Sequence, residues 1–130
     1  MKLLRLPGRK LCEYVLRRGR VWKGRHMTVR WLPGAPKHPL IAPHHTGIYV
    51  GLVASTRLDA SAVKRNRMRR RCREALRTQL QKEELSVCVQ LLILPRSSSL
   101  VCAFPELEND VRAFLSILPV WRKNDLPGNS

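Results

Sequence analysis

From Lys64 to Arg77, eight of fourteen residues are Lys or Arg and one, Glu74, is acidic. Charge of that density stays at the surface. A helix built from it must therefore be held by a single apolar stripe. The stripe is present. At about 100° per residue, Met68, Cys72, Ala75, Leu76 and Leu80 fall within one arc, and Arg67, Arg70, Arg71, Arg73 and Arg77 cover the rest. The pattern predicts a helix over Ser61 to Lys82 packed on a sheet, with Glu74 in helical reach of Arg70 and Arg77.

The flanking segments supply that sheet. Arg9 to Arg18 reads as a helix with Leu11, Cys12, Val15 and Leu16 on one face, and Gly19 stands where a helix end favours positive φ. Met27, Val29 and Trp31 alternate with Thr28 and Arg30 as in a strand. Residues 33–47 form a Pro-rich loop. Ile48 to Ser55 is apolar on both faces, as a central strand is, and Val87 to Leu94 reads as another buried strand. The last helix begins near Pro105, with Glu106, Glu108 and Asp110 at its positive end and a stripe of Leu107, Val111, Phe114, Leu115 and Leu118. The order is α-β-β-α-β-α. It predicts one small α+β domain across residues 1–130, with an ordered core over about 6–120, a flexible tail at 121–130, and helices against a mixed sheet.

The formal net charge of +16 is carried by two stretches: residues 1–30 are net +9, residues 64–77 are net +7, and the remainder balances. Concentrated charge of one sign opposes compaction until a polyanion neutralises it. Nucleic acid and an anionic membrane surface are both candidates. The basic helix adds a second sign. Lys64, Arg65 and Arg67 sit at or near its first turn, where the helix dipole favours acids. A partner's phosphate would reverse that mismatch.

Other chemistry is thinly represented. Cys12, Cys72, Cys88 and Cys102 are widely spaced, include no C-x-x-C pair, and read as reduced core thiols. His44-His45 lies in the Pro-rich loop, where neighbours point to opposite sides and make a poor metal pair. The chain shows no Ser/His/Asp arrangement, phosphate-binding Gly loop or carboxylate cluster. No catalytic residue and no metal ligand are expected of the chain itself. No apolar run reaches the roughly 20 residues of a membrane span, and Met1 to Pro7 has no signal-type stretch, so a cytoplasmic protein is expected.

The run Ala62-Val63-x-Arg65-Asn66-Arg67-x-x-Arg70-x-x-Arg73-Glu74-x-x-Arg77 resembles the signature of the bacterial ribonuclease P protein component. Gly51 to Arg57 resembles the strand that leads into that signature, and Val15 to Gly19 the end of the family's first helix. The order of elements agrees from Leu6 to Leu118. The resemblance implies a four-stranded sheet with helices, a fold shared with a domain of a ribosomal protein. With three strands recognised, the fourth is expected in residues 33–47 or 98–104. It also implies a protein subunit of ribonuclease P, binding the catalytic RNA subunit and the 5′ leader of precursor tRNA. The endonucleolytic chemistry would then rest on Mg2+ held mainly by the RNA. Neither a membrane nor an obligate protein partner is implied.

Position by position, the resemblance assigns Arg65, Asn66, Arg67, Arg70 and Arg73 to the catalytic RNA, with Arg57 at a family lysine position; Asn66 suits a backbone hydrogen bond at the helix start equally, and Lys64, Arg69, Arg71 and Arg77 join them as RNA-binding candidates of the same basic run. The resemblance implies a leader cleft between the first helix and the sheet, at whose positions Cys12, Leu16 and Arg30 fall, with Trp31 and Tyr49 as candidate substitutes for the family's aromatics. Here the sequence departs from the family. Cys12, Leu16 and Arg30 stand where the family has aromatic residues, and Thr56 stands where it has a lysine. Aromatic platforms supply much of the binding to unpaired bases. Arg30 offers a guanidinium plane in their place. Trp31 and Tyr49 suit core packing and base contact equally; Trp22, beside Arg20, Lys23 and Arg25, leans to contact. The alternative is a non-enzymatic basic RNA-binding protein of ribosomal or chaperone type.

Overall fold

The alternation at Met27, Val29 and Trp31 against Thr28, Arg30 and Leu32 gives the central sheet two different faces, and each face collects its own helices. In the computed structural model, residues 3–41, 47–82, 85–118 and 121–122 are described. The elements run β1 (Leu3–Arg5), α1 (Arg9–Arg18), β2 (Arg20–Lys23), β3 (Met27–Pro33), β4 (Gly47–Leu52), α2 (Ala62–Gln81), β5 (Leu85–Ser86), β6 (Cys88–Pro95), a 3-10 turn (Ser97–Leu100), α3 (Phe104–Ile117) and β7 (Trp121–Arg122).

Five strands form one mixed sheet in the order β1-β4-β6-β3-β2, and β5 with β7 form a separate two-stranded ribbon. The pairs β1–β4 and β4–β6 are parallel, whereas β3–β6 and β2–β3 are antiparallel. Helix α2 is the crossover between the parallel neighbours β4 and β6.

Opposite α2 and α3, the sheet presents Met27, Val29, Trp31, Ile48, Val50, Val89, Leu91 and Ile93. They meet Cys72, Ala75, Leu76 and Leu80 of α2 and Leu107, Val111, Phe114 and Leu115 of α3 in one core. The other face carries Tyr49 and Leu92, packed with Leu6 and with Val15 of α1 in a second, smaller core. Each such buried aliphatic side chain stabilises the fold by about 1.5–3 kcal/mol. The apolar arcs expected on α2 and α3 are the ones buried, with Gln79 added to the first and Asp110 to the second.

The sheet has five strands where four were expected, and the additional ones are not in residues 33–47 or 98–104. They are Leu3–Arg5 and Arg20–Lys23, the two edges of the sheet. Strands of three or four residues with basic side chains are too short to show alternation in sequence. Residues 97–100 are the 3-10 turn, and residues 42–46, including His44 and His45, lie outside the described residues. So do residues 123–130, most of the expected tail.

Gly19 is not in the positive-φ region: its φ is −69° and its ψ 149°. A glycine is required there for space. A Cβ would lie 2.4 Å from the Val15 carbonyl oxygen and 3.1 Å from the Trp31 nitrogen, so the turn from α1 into β2 is pressed against β3. Gly51 plays a similar part under α1, where a Cβ would stand 3.0 Å from Cys12 Sγ. All four cysteines are free thiols. Cys72 alone is fully buried; Cys12, Cys88 and Cys102 are half-buried, which corrects the expectation of four core thiols.

Candidate nucleic-acid interface

Helix α2 starts at Ser61, whose Oγ accepts the Lys64 N–H at 3.3 Å, while Asp59 Oδ1 accepts the Ser61 N–H at 2.8 Å. These contacts satisfy backbone donors that open any helix. No acid occupies the first turn, so Lys64 and Arg65 stand at the positive end of the dipole without local compensation.

The helical repeat then divides the basic residues into two groups. Arg69 and Arg71 flank the apolar arc and turn inward. Arg71 donates to the carbonyl oxygens of Ser99, at 2.6 Å, and of Cys102. Arg69 donates to Asn66 Oδ1 and, at 3.2 Å, to the Ala54 carbonyl oxygen. Both guanidinium groups brace α2 against its neighbours. Of the RNA-binding candidates, these two are therefore engaged within the fold, and Asn66 holds Arg69. Arg65 is half-buried, and its Nε is buried without a hydrogen-bond partner.

Arg57, Lys64, Arg67, Arg70, Arg73 and Arg77 are exposed. Arg77 pairs with Glu74, donating from Nε at 3.0 Å and from a terminal nitrogen. This hydrogen bond holds the Glu74 carboxyl below the usual carboxylate range. Among the described residues no acid pairs with Arg57, Lys64, Arg67, Arg70 or Arg73. Five cations on one helix and its approach are thus left to solvent. Such a surface binds phosphates through charge and bidentate guanidinium geometry.

The second basic stretch meets this helix at the ends of β1 and β4. There Arg5 and Arg9 face Arg70 and Arg73 across a depression of about 500 Å³ lined also by Cys12 and Gly51. Burial raises the Cys12 thiol above its usual pKa. A second depression, about 590 Å³, is lined by Leu16, Arg25, Thr28, Arg30, Leu94 and Arg96. Leu16 is 41% exposed, so an apolar side chain is presented there beside three guanidinium groups.

The structure does not gather the five leader-cleft candidates into one site. Cys12 lines the first depression, while Leu16 and Arg30 line the second. Trp31 lies on the opposite face of the sheet, 4% exposed, with its ring edge-on to Phe114 at 6.5 Å and Arg20 over it at 5.1 Å. The register shows why: odd-numbered residues of β3 face α2 and α3. Tyr49 is on the α1 face but 3% exposed, bordering a separate hollow with His38 and Ile41. Its hydroxyl pKa is pushed up by burial. Trp22, half-buried, packs against Phe114 at 5.6 Å, so at least part of its ring is taken up by packing on α3. No sequence pattern points to Arg5 or Arg9 as companions of α2. That meeting depends on β1, an edge strand too short to recognise.

Residues 1–118 match the family model for ribonuclease P. The ribonuclease P protein component of Thermus thermophilus is 35% identical over 127 residues, covering 96% of this chain and 62% of the relative. That of Thermus oshimai is 40% identical over 91 residues, covering 70% of this chain and 44% of the relative. The chain thus spans about 62% of the length of the first of these curated relatives. The ribonuclease P protein of Staphylococcus aureus superposes with a TM-score of 0.66 at 18% identity, over 92% of this chain and 98% of that one. The ribonuclease P protein of Thermotoga maritima gives 0.66 at 16%, over 91% and 98%. These two similarities establish the fold.

Proposed function

Since this chain belongs to the ribonuclease P protein family, we propose that it is the protein subunit of a ribonucleoprotein that removes the 5′ leader of precursor tRNA. The observation that carries this reading is the exposed face of α2, on which Arg67, Arg70 and Arg73, with Arg57 and Lys64 beside them, have no acidic partner among the described residues. That face binds the folded catalytic RNA through its phosphates. One observation weighs against the alternatives: neither a ribosomal or chaperone role nor binding to a membrane surface would predict this family match.

The metal chemistry belongs to the RNA in this reading. Glu74, the acid within α2, is already engaged by Arg77, so the basic face has no free carboxylate among the described residues with which to hold Mg2+. Held by the RNA, Mg2+ would supply activation of the attacking water and stabilisation of the leaving oxygen. This chain binds and positions. The depressions near the start and the end of α1 take the unpaired leader by charge, with Arg30 and the apolar Leu16 in place of aromatic platforms. Four free thiols fit a reducing cytoplasm, the compartment this reading requires.

Reconstitution tests the proposal. The chain, mixed with a bacterial ribonuclease P RNA and precursor tRNA at low Mg2+, should accelerate leader removal over RNA alone. Replacing Arg67, Arg70 and Arg73 together by Ala should abolish that acceleration while the fold survives. No acceleration by the parent chain rejects the assignment.

A further inference from the structure

Far from the paired cysteine spacing that would announce a metal centre, three segments converge on one point. His26 opens the approach to β3, Cys102 follows the 3-10 turn, and Glu106 lies in the first turn of α3. One ligand atom of each lies within 4.8 Å of the other two. We propose that His26 Nε2, Cys102 Sγ and a Glu106 carboxylate oxygen bind a zinc-class divalent cation, which clamps the β2–β3 turn to the start of α3.

His26 supplies the strongest physical reason. It is 9% exposed, and its Nε2 is buried with no hydrogen-bond partner. A buried nitrogen in that state costs stability unless something meets it. The neighbour in line is Glu106 Oε1 at 3.6 Å, too long for a hydrogen bond. Two ligands about 2.0–2.1 Å from a tetrahedral zinc stand roughly 3.4 Å apart. The observed spacing is near that value, and moving Cys102 Sγ inward by at most about 1 Å would complete the set.

The surroundings prepare the imidazole for this role. Nδ1 lies 2.9 Å from Ser98 Oγ. With the ring proton on Nδ1 and donated to Ser98, Nε2 keeps its lone pair for a metal. The His26 backbone is fixed as well. Asp110 Oδ2 accepts its N–H at 2.8 Å, and Asp110 Oδ1 accepts that of Arg25 at 3.2 Å. Glu106 is held by Oε2, which accepts the Ala103 N–H at 3.2 Å, leaving Oε1 directed at His26.

Nitrogen and sulfur donors select zinc-class ions over Mg2+. The site is therefore distinct from the metal chemistry assigned to the RNA. In the metal-free protein the Cys102 sulfur is a thiol, as an ordinary cysteine is at neutral pH. On binding, the S–H bond breaks, the proton passes to solvent and a sulfur–metal bond forms. Thiolate and carboxylate together neutralise the dication. Arg71, bonded to the carbonyl oxygens of Ser99 and Cys102, then faces no added positive charge. Three protein ligands leave a fourth position to water.

The experiment titrates Co2+ and Zn2+ into the full chain without RNA. The expected result is one Co2+ per chain with a sulfur-to-cobalt charge-transfer band and visible bands of four-coordinate intensity, displaced by Zn2+. Cys102→Ser should abolish the charge-transfer band. Ser98→Ala should weaken binding about 10- to 100-fold through the ring it orients, and Zn2+ should raise the Tm of the parent but not of Cys102→Ser. Ser98→Ala and Cys102→Ser keep the test decisive if His26→Gln fails to fold. Absence of the band overturns the proposal; a band undiminished in Cys102→Ser overturns it in favour of another cysteine.

Discussion

Arg71 donates to the Ser99 carbonyl oxygen at 2.6 Å, tying the middle of α2 to the turn that precedes α3. One of the most basic positions of the chain is thereby a structural brace. Charge-assisted hydrogen bonds contribute about 1.5–3 kcal/mol each, and Arg71 makes two of them at a half-buried site. Solvent screening reduces the sum, so Arg71→Ala should cost on the order of 2–4 kcal/mol in urea unfolding. Its RNA affinity, measured on the folded fraction, should stay close to the parent's. An unchanged unfolding midpoint would contradict the bracing role.

Arg70→Ala and Arg73→Ala should behave in the opposite way. Both side chains are exposed and without acidic partners among the described residues. Stability should move by less than about 0.5 kcal/mol. Binding to the catalytic RNA should weaken, with the slope of log affinity against log salt falling by up to about 0.9 for each phosphate no longer neutralised. Arg65→Ala, at a half-buried position, should show both effects. Salt titrations of binding beside thermal melts separate the cases.

Trp31 belongs to the core shared with Phe114. Trp31→Ala should destabilise the fold by roughly 3–5 kcal/mol. Trp31→Phe should keep the preference for leader-bearing over leaderless tRNA unchanged. A loss of that preference in a well-folded Trp31→Phe protein would place the ring in the leader path after all.

The Glu74–Arg77 pair gives a pH signature. The Glu74 carboxyl is held down by the Arg77 hydrogen bond. A carboxyl whose folded pKa lies below its unfolded value contributes stability above the unfolded pKa, about 4.3 for Glu. That contribution is lost as pH falls through the folded value. NMR titration should find the Glu74 midpoint below that of a free Glu, and Arg77→Ala should return it upward. Because both groups are exposed, the effect on global acid stability should be small.

The long elements were legible because their periodicity is strong. The arcs Met68-Cys72-Ala75-Leu76-Leu80 and Leu107-Val111-Phe114-Leu115 are the buried ones. The strand edges were not, since Leu3–Arg5 and Arg20–Lys23 are too brief for a pattern and owe their conformation to pairing with β4 and β3. Within the site, exposure of Arg67, Arg70 and Arg73 follows from the helical repeat alone. The inward turn of Arg69 and Arg71 does not, because their carbonyl partners come from residues 15 and about 30 positions away. Distance along the chain likewise hid His26 from Cys102 and Glu106, which themselves stand only four residues apart.

The pairing of β3 with β6 imposes a parity on the α1 side of the sheet, the side proposed to take the leader. Thr28 opposes Leu94, Arg30 opposes Leu92 and Leu32 opposes Gln90. Even-numbered positions of these strands, and odd-numbered ones of β4, are therefore the places from which a side chain reaches the α1 face. A tryptophan next door, at position 31, is as remote from any ligand on the α1 face as one across the molecule. Evolution or a protein engineer wishing to restore ring stacking here has to write it at 28, 30 or 94, and the thickness of one β-sheet decides that.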